Sequence, residues 1–370
     1  MTTKLLDGIK PVLLMGPGPS AVYSEVYEAL SKPTLGHLDP YFFRIMDQVK
    51  EGLRVVMGTK NSVTLAISGT GSAGMSAAFI NLVAPGDRVL IIVNGFFSKR
   101  MEDVARRLHA DIDLLEFAWG APIVLDTVKK QLKKGPYAVV AMVHAETSTG
   151  MRNPIKEVGA LVNDAGALFL VDCVTSLGAM PVEADKCRID ALYSCSQKGL
   201  SCPPGLAPIS FSAQAVDKIL ARATPAADWY LDISLLIKYW EGEKRTYHHT
   251  MSSNMIYGLY AGLEMLLAEG LERVFARQVA MQKRLGEGLE KMGLSFLIPP
   301  EHRLPHLNVV SIPAGADDAA VRARLLNEFQ IEIGGGLGAL AGKVWRIGLM
   351  GHTARPENVD RFLASLKACL

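Results

Sequence analysis

Short apolar runs separated by polar punctuation dominate the first two thirds of the chain. Val63–Ser68 (VTLAIS), Arg88–Val93 (RVLIIV), Ala138–Val143 (AVVAMV) and Ala167–Val171 (ALFLV) are nearly continuous in apolar residues and too short for ordinary helices. Bounded by turn residues, such runs predict strands buried on both faces of a parallel sheet. A further short run, Ile189–Ser194, has the same character. Helical spacing of apolar residues marks 41–57 (YFFRIMDQVKEGLRVVM) and the stretch MSAAFINLV beginning at Met75, and the turn at 16–20 leads into a helix expected from Ser20. Alternation of the two patterns from 63 to 212 predicts an α/β fold with a parallel, doubly wound sheet.

From residue 213 the pattern changes. Residues 225–253 are rich in aromatics, with Trp229, Tyr230, Tyr239 and Trp240, and 255–292 reads as one long helical region bending near Gly270. After Pro299-Pro300 comes a smaller α+β unit: LNVVSI as a strand, AAVRARLLNEF as a helix, KVWRIGLM as a strand and ENVDRFLASLKACL as a closing helix. Ile333–Gly338, with four glycines, is expected to be a flexible loop. The division expected is a segment 1–20 joining the small domain, a large domain over 21–254 and a small one over 255–370.

Composition narrows the functional classes. A 370-residue chain with 49% hydrophobic and 21% charged residues exceeds one ordinary core and is not disordered. Lysine and arginine total 39 against 37 acids, a net charge of +2, so there is no general electrostatic reason to bind nucleic acid or an anionic membrane. The five cysteines (Cys173, Cys187, Cys195, Cys202, Cys369) are odd in number and contain no CxxC pair, so neither a disulfide framework nor a zinc site is indicated. The first twenty residues lack the apolar run of a signal peptide, no stretch reaches a membrane span, and the final tripeptide is not of the SKL type; a cytoplasmic protein is expected.

The chemistry gathers at the ends of the predicted strands, where open α/β sheets place their ligands. Asp172 closes one apolar run, and Lys198 follows another. Pyridoxal phosphate needs this pair: an amine for a Schiff base, and an acid that keeps the pyridine nitrogen protonated. The plainer alternative makes Asp172 a cap and Lys198 a solvated lysine. Gly69–Gly74 (GTGSAG) joins a strand to a helix and forms an anion site from backbone N–H groups. It also satisfies GxGxxG, but the next strand ends in Asn94-Gly95 rather than the acid that a dinucleotide's ribose requires, which favours a single phosphate over a nicotinamide cofactor. Phe96 and Phe97 stand just beyond that strand, where an aromatic belongs either to the core or on a pyridine face. The polar cluster His144–Gly150 (HAETSTG) follows another strand. Gly18, inside the Gly16–Ser20 turn, belongs either to a connector or to a loop touching substrate. His248 and His249 are adjacent, so on a regular element their rings diverge and do not form a metal site. Arg346 interrupts an apolar strand and needs an ion-pair partner or a substrate carboxylate.

These residues carry a resemblance. GPGPS (16–20), ISGTGS (67–72), HAETSTG (144–150), LVDCVTSLG (170–178), YSCSQKGLSCPPG (193–205), YHHT (247–250) and GGLGALAGKVWRIGLMG (335–351) run in the order found in the class V aminotransferases of fold type I, among which the alanine–glyoxylate and serine–glyoxylate (serine–pyruvate) enzymes are the most similar. The resemblance implies a mostly parallel sheet of the seven-stranded type with a small carboxyl-terminal domain. It implies that Lys198 binds the cofactor covalently, Asp172 pairs with the pyridine nitrogen, Val174 and Phe97 pack on the ring, and Thr147 approaches the ring hydroxyl. The family usually has tryptophan where Phe97 stands. Gly71, Ser72 and Gln197 resemble phosphate ligands, although relatives often have histidine in place of Ser72; Tyr247 and Thr250 resemble residues that reach the phosphate of a neighbouring subunit, implying a homodimer with shared sites. Arg346 is expected to hold the substrate carboxylate, with Gly18 contacting substrate. The activity implied is transfer of an amino group from alanine or serine to glyoxylate or pyruvate by a ping-pong route. Aminoethylphosphonate or pyridoxamine transaminases, a cysteine desulfurase-like lyase using Cys202, a dehydrogenase and a non-catalytic binding protein are the alternatives.

Overall fold

The computed structural model describes residues 3–242 and 244–370. Seven strands form the central sheet: β1 (Val63–Ser68), β2 (Arg88–Val93), β3 (Asp111–Glu116), β4 (Val139–Val143), β5 (Leu168–Asp172), β6 (Ala191–Tyr193) and β7 (Leu206–Phe211). They lie in the order β1-β7-β6-β5-β4-β2-β3. Only β7 runs against its neighbours, so the parallel expectation holds for the other six. Strands β4 and β5 are buried at every residue, which is why their sequences are apolar runs and not alternating ones. Helices cover both faces.

Among the helices that frame the large core are α1 (Ser24–Leu30), α2 (Pro40–Met57), α3 (Gly71–Leu82) and α4 (Phe96–Arg107). The first begins four residues after the Ser20 start read from sequence. Its neighbour shows how local sequence sets the limits. Asp39 accepts a hydrogen bond from the Tyr41 N–H at 2.7 Å, Pro40 occupies the first turn, and Gly58 ends α2 in the left-handed region at φ 67°.

The long helical region is two helices, α5 (Ser253–Glu269) and α6 (Leu271–Lys291), broken at Gly270, whose φ of 85° lies outside the helical range. Helix α5 packs on α1 and α2, and its buried face (Ile256, Leu259, Leu263, Leu266) belongs to the same core as the central sheet. The boundary expected after residue 254 therefore falls in the first turn of a helix whose buried face belongs to the larger core.

A second core gathers Leu285 and Leu289 of α6 with β8 (Leu307–Ser311), α7 (Asp318–Phe329), β10 (Val344–Gly348) and α8 (Pro356–Cys369). Met15 joins it, and Leu13-Leu14 pair with Ile331-Glu332, so the first residues run with this smaller unit. The glycine-rich stretch is not simply a loop. Gly334–Gly335 form β9, an edge strand antiparallel to β10, in which Gly334 faces Arg346 across the ladder. No helix among the described residues is long and apolar enough to cross a membrane.

Candidate active site

The carboxyl ends of β1, β2, β4, β5 and β6 converge on one cavity. Its walls include Gly71, Ser72, Phe97, Thr147, Asp172, Val174, Gln197 and Lys198, eight residues singled out from sequence. Thr70, Met75, Arg100, Val143, Ala145 and Thr175 complete it.

Asp172 ends β5 and is buried. The parallel register sets Tyr193 of β6 beside it, and the Tyr193 hydroxyl donates to Oδ2 at 2.8 Å. The Val174 N–H donates to Oδ1 at 2.8 Å, so the capping role also holds, at a buried site. Burial pushes this carboxyl up to about 6, against the opposing pull of those two donors. Thr147 and Thr175 share a hydrogen bond of 2.5 Å between their hydroxyls.

Lys198 is not a surface lysine. Its amine reaches into the cavity, donates to the Pro17 carbonyl, and is held below the ordinary lysine range chiefly by burial and further by the Arg346 charge. The turn at 17–20 braces it. Ser20 Oγ donates to the Lys198 carbonyl at 2.6 Å, and the Ser20 N–H donates to the Gln197 carbonyl at 2.9 Å. Gly18 has φ 114°, and a Cβ there would lie 2.7 Å from Cδ and Nζ of Lys198. Gly18 and Arg346 are not in the cavity wall; Gly18 stands against Lys198, and Arg346 is near enough for its charge to act on it.

Arg346 is 7% exposed. Its Nε donates to the Gly335 carbonyl at 2.7 Å, and among the described residues it forms no ion pair. The structural ion pair considered from sequence is therefore not made. Desolvation lowers its affinity for a proton to about 10, in a surrounding where Glu146 is the compensating charge. An enclosed guanidinium with no carboxylate of its own is suited to one from substrate.

The start of α3 can offer backbone donors to an anion. Its N-cap, Thr70, makes no side-chain hydrogen bond, leaving the first N–H groups and the helix dipole for a ligand. Gln197 Oε1 is buried without a partner among the described residues. One cavity lined by an acid, an amine, an aromatic side chain and the amino-terminal turn of α3 offers a group for each of the four parts of pyridoxal phosphate. No ligand set for a metal occurs among the described residues.

Tyr247 and Thr250 stand elsewhere, exposed on the surface with their hydroxyl oxygens 3.5 Å apart. The adjacent histidines do not diverge: His248 Nδ1 and His249 Nδ1 share a hydrogen bond of 2.8 Å because their segment is irregular. All five cysteines are buried, and burial pushes the Cys195 and Cys202 thiols up to about 12. None is a ready thiolate for desulfurase-like chemistry. Tyr193 and Glu146 escaped the sequence reading: Tyr193 becomes visible only through strand register, whereas Glu146 sat unremarked inside HAETSTG.

Comparison with known proteins agrees with this geometry. Residues 20–362 match the family described as Aminotransferase class-V. An alanine–glyoxylate aminotransferase of Drosophila melanogaster is 39% identical over 96% of this chain and 92% of its own length. An (S)-ureidoglycine–glyoxylate transaminase of Bacillus subtilis is 38% identical, covering 96% of this chain and 90% of that protein. The crystal structure of an alanine–glyoxylate aminotransferase from Nostoc sp. superposes with a TM-score of 0.96 at 46% identity, covering 98% of this chain and 96% of that one.

Proposed function

The chain belongs to the class V aminotransferases, pyridoxal-phosphate enzymes of fold type I, and from that premise we propose that it moves the amino group of a small amino acid, alanine or serine, to glyoxylate or pyruvate. The observation that carries the reading is buried Asp172 and half-buried Lys198 in the wall of one cavity, with Arg346, which forms no ion pair among the described residues, close enough for its charge to act on Lys198.

When bound, pyridoxal phosphate supplies an electron sink for the α-carbon of an attached amine. The residues that would hold it are Asp172 at the pyridine nitrogen, Val174 and Phe97 on the ring faces, Thr147 at the ring hydroxyl, and Gly71, Ser72 and Gln197 at the phosphate. Asp172 keeps a proton on the ring nitrogen. Lys198, its proton affinity held below the ordinary lysine range by burial, accepts a proton from the α-carbon and returns it on the other side of the transfer. Arg346 orients the substrate through its carboxylate, and a single such clamp suits substrates with small uncharged side chains. Tyr247 and Thr250, outside their own cavity, are proposed to complete the phosphate site of a second copy in a homodimer.

The test is an absorbance titration followed by product analysis. Protein loaded with pyridoxal phosphate should lose its visible band on adding L-alanine or L-serine and regain it with glyoxylate or pyruvate. (S)-Ureidoglycine belongs in the same series, since a relative's name carries it. Initial-velocity lines should be parallel. A band indifferent to every small amino acid would remove the proposed donor class.

A further inference from the structure

Glu146 is wholly enclosed, and every group it bonds is an N–H or O–H donor. Its Oε1 accepts from the Ser148 hydroxyl at 2.6 Å, the Ser148 N–H at 3.2 Å and the Phe97 N–H at 3.4 Å. Its Oε2 accepts from the Ser98 N–H at 3.1 Å. The Ser98 hydroxyl lies 3.3 Å from the same oxygen and 3.1 Å from the Gly95 carbonyl, between which it has one proton to give. Ser148 Oγ in turn accepts from the Phe96 N–H at 2.9 Å. The first three N–H groups of α4 are thus all taken by residues 146 and 148. A helix start normally offers these donors to solvent, a local cap or a ligand. Here an internal carboxylate occupies them and sits on the positive end of the helix dipole.

The approach is close enough to dictate sequence. A Cβ on Gly95 would lie 2.3 Å from Glu146 Cγ and 2.7 Å from Ser148 Oγ, so only glycine admits the carboxylate. Two walls of the cavity meet at this bond. Ala145 and Thr147 flank Glu146 in sequence and line one wall; Phe97, in the first turn of α4, lines another. The strand Ala145-Glu146, paired with Met151-Arg152, makes the first wall a fixed reference.

We propose that Glu146 is a positioning residue for the cofactor ring: by anchoring the first turn of α4 it fixes where Phe97 presents its aromatic face. The carboxylate touches neither cofactor nor substrate in this scheme and acts through Phe97. The proposal rests on the reading of the cavity as a pyridoxal-phosphate site, and its test separates the two.

The experiment is a double-mutant cycle on cofactor affinity, with Glu146→Gln, Phe97→Ala and both together, each prepared without cofactor and titrated with pyridoxal phosphate by its visible band. Glu146→Gln keeps the shape but turns an amide N–H₂ toward backbone donors. Its affinity should fall about tenfold, the change expected for one charged hydrogen bond. In the Phe97→Ala background the same substitution should change affinity less than about twofold, because the group it positions is gone. Amide hydrogen exchange over residues 96–98 of the cofactor-free protein should accelerate in Glu146→Gln, a readout that needs no cofactor. Should that variant fail to fold, Ser148→Ala, which removes the 2.6 Å donor, enters the same cycle. Equal losses in both backgrounds, or unchanged exchange at 96–98, would overturn the positioning role. Wild-type protein that shows no band with pyridoxal phosphate would instead overturn the cofactor reading beneath it.

Discussion

Tyr193 and Asp172 are locked together by strand register: adjacent parallel strands place them side by side, and the phenol donates to the carboxylate at 2.8 Å. The acid proposed to hold the cofactor's nitrogen is therefore oriented before any cofactor arrives. The same enclosure makes it expensive to ionise.

Asp172→Asn should show both sides of that arrangement. Burial raises the carboxyl from 3.8 to about 6, a difference of about 2 units, or about 3 kcal/mol. A carboxyl raised in the fold stabilises the protein below the unfolded value, and that contribution is lost as pH rises through about 6. Cofactor-free Asp172→Asn should therefore melt above the wild type at pH 8, while the wild type gains on it as pH falls from 6 toward 4. Transamination by the variant should drop on the order of a thousandfold, since the ring proton loses its counter-charge. Melting curves at pH 4, 6 and 8, read beside single-turnover rates, check both; equal melting at pH 8 would remove the stability argument.

Much of this was legible in the chain. Apolar runs gave the parallel strands because full burial on two faces leaves no alternation to hide them. Strand-end residues Asp172 and Lys198 followed from the rule that ligands sit at carboxyl edges. What stayed hidden depends on contacts between segments distant in sequence. Tyr193 reads as one more apolar strand residue until β6 is placed beside β5. Glu146 lies in a conspicuous polar cluster, yet its role comes from the start of α4, some fifty residues earlier. The loop expected over 333–338 failed differently: Gly334 and Gly335 look like a loop, but they pair with Arg346 and Trp345 as an edge strand, and a Cβ on Gly334 would lie 2.5 Å from Pro17. The break at Gly270 was visible as a bend, whereas the core to which α5 belongs was not, because a helix does not announce its partner.

Arg346→Lys should not be a mild change. The guanidinium spends Nε on the Gly335 carbonyl and keeps its two terminal nitrogens for a planar partner, whereas lysine offers one point charge. kcat/KM for the amino acid should fall on the order of a hundredfold, mostly through KM. Affinity for pyridoxal phosphate should stay within about twofold, since Arg346 is not part of the cavity wall. Steady-state kinetics beside a cofactor titration decide the matter; loss of cofactor affinity instead would assign Arg346 to the cofactor.

Gly18→Ala places a methyl 2.7 Å from the Lys198 amine at a backbone φ of 114° that side chains avoid. Either the lysine or the 17–20 turn must move. The expected result is a fall in kcat of about ten- to a hundredfold, since misplacing a reacting group by an ångström carries a penalty of that size. Global stability should drop by about 1–3 kcal/mol. A variant with unaltered kcat would mean that the turn is only a connector, as one reading of its sequence allows.

Acid should loosen the fold through its histidines. Burial holds His144 and His306 neutral down to about 3, aided at His144 by the Arg152 charge and at His306 by His144 and Lys198. Burial and then the neighbouring His248 and His37 hold His249 down to about 4. For a base depressed in the fold, stability is fully present above the unfolded value near 6.5 and is lost as pH falls below it. Asp172 works in the opposite sense between about 6 and 3.8, so these four groups together contribute about two protons to the slope in that window rather than three. His306→Leu removes one of them. Between pH 6.5 and 5 one proton is worth about 2 kcal/mol, so the variant's melting midpoint should gain on the wild type at pH 5 relative to pH 8. A shift equal at both pH values would show that His306 carries its packing alone and no part of the acid sensitivity.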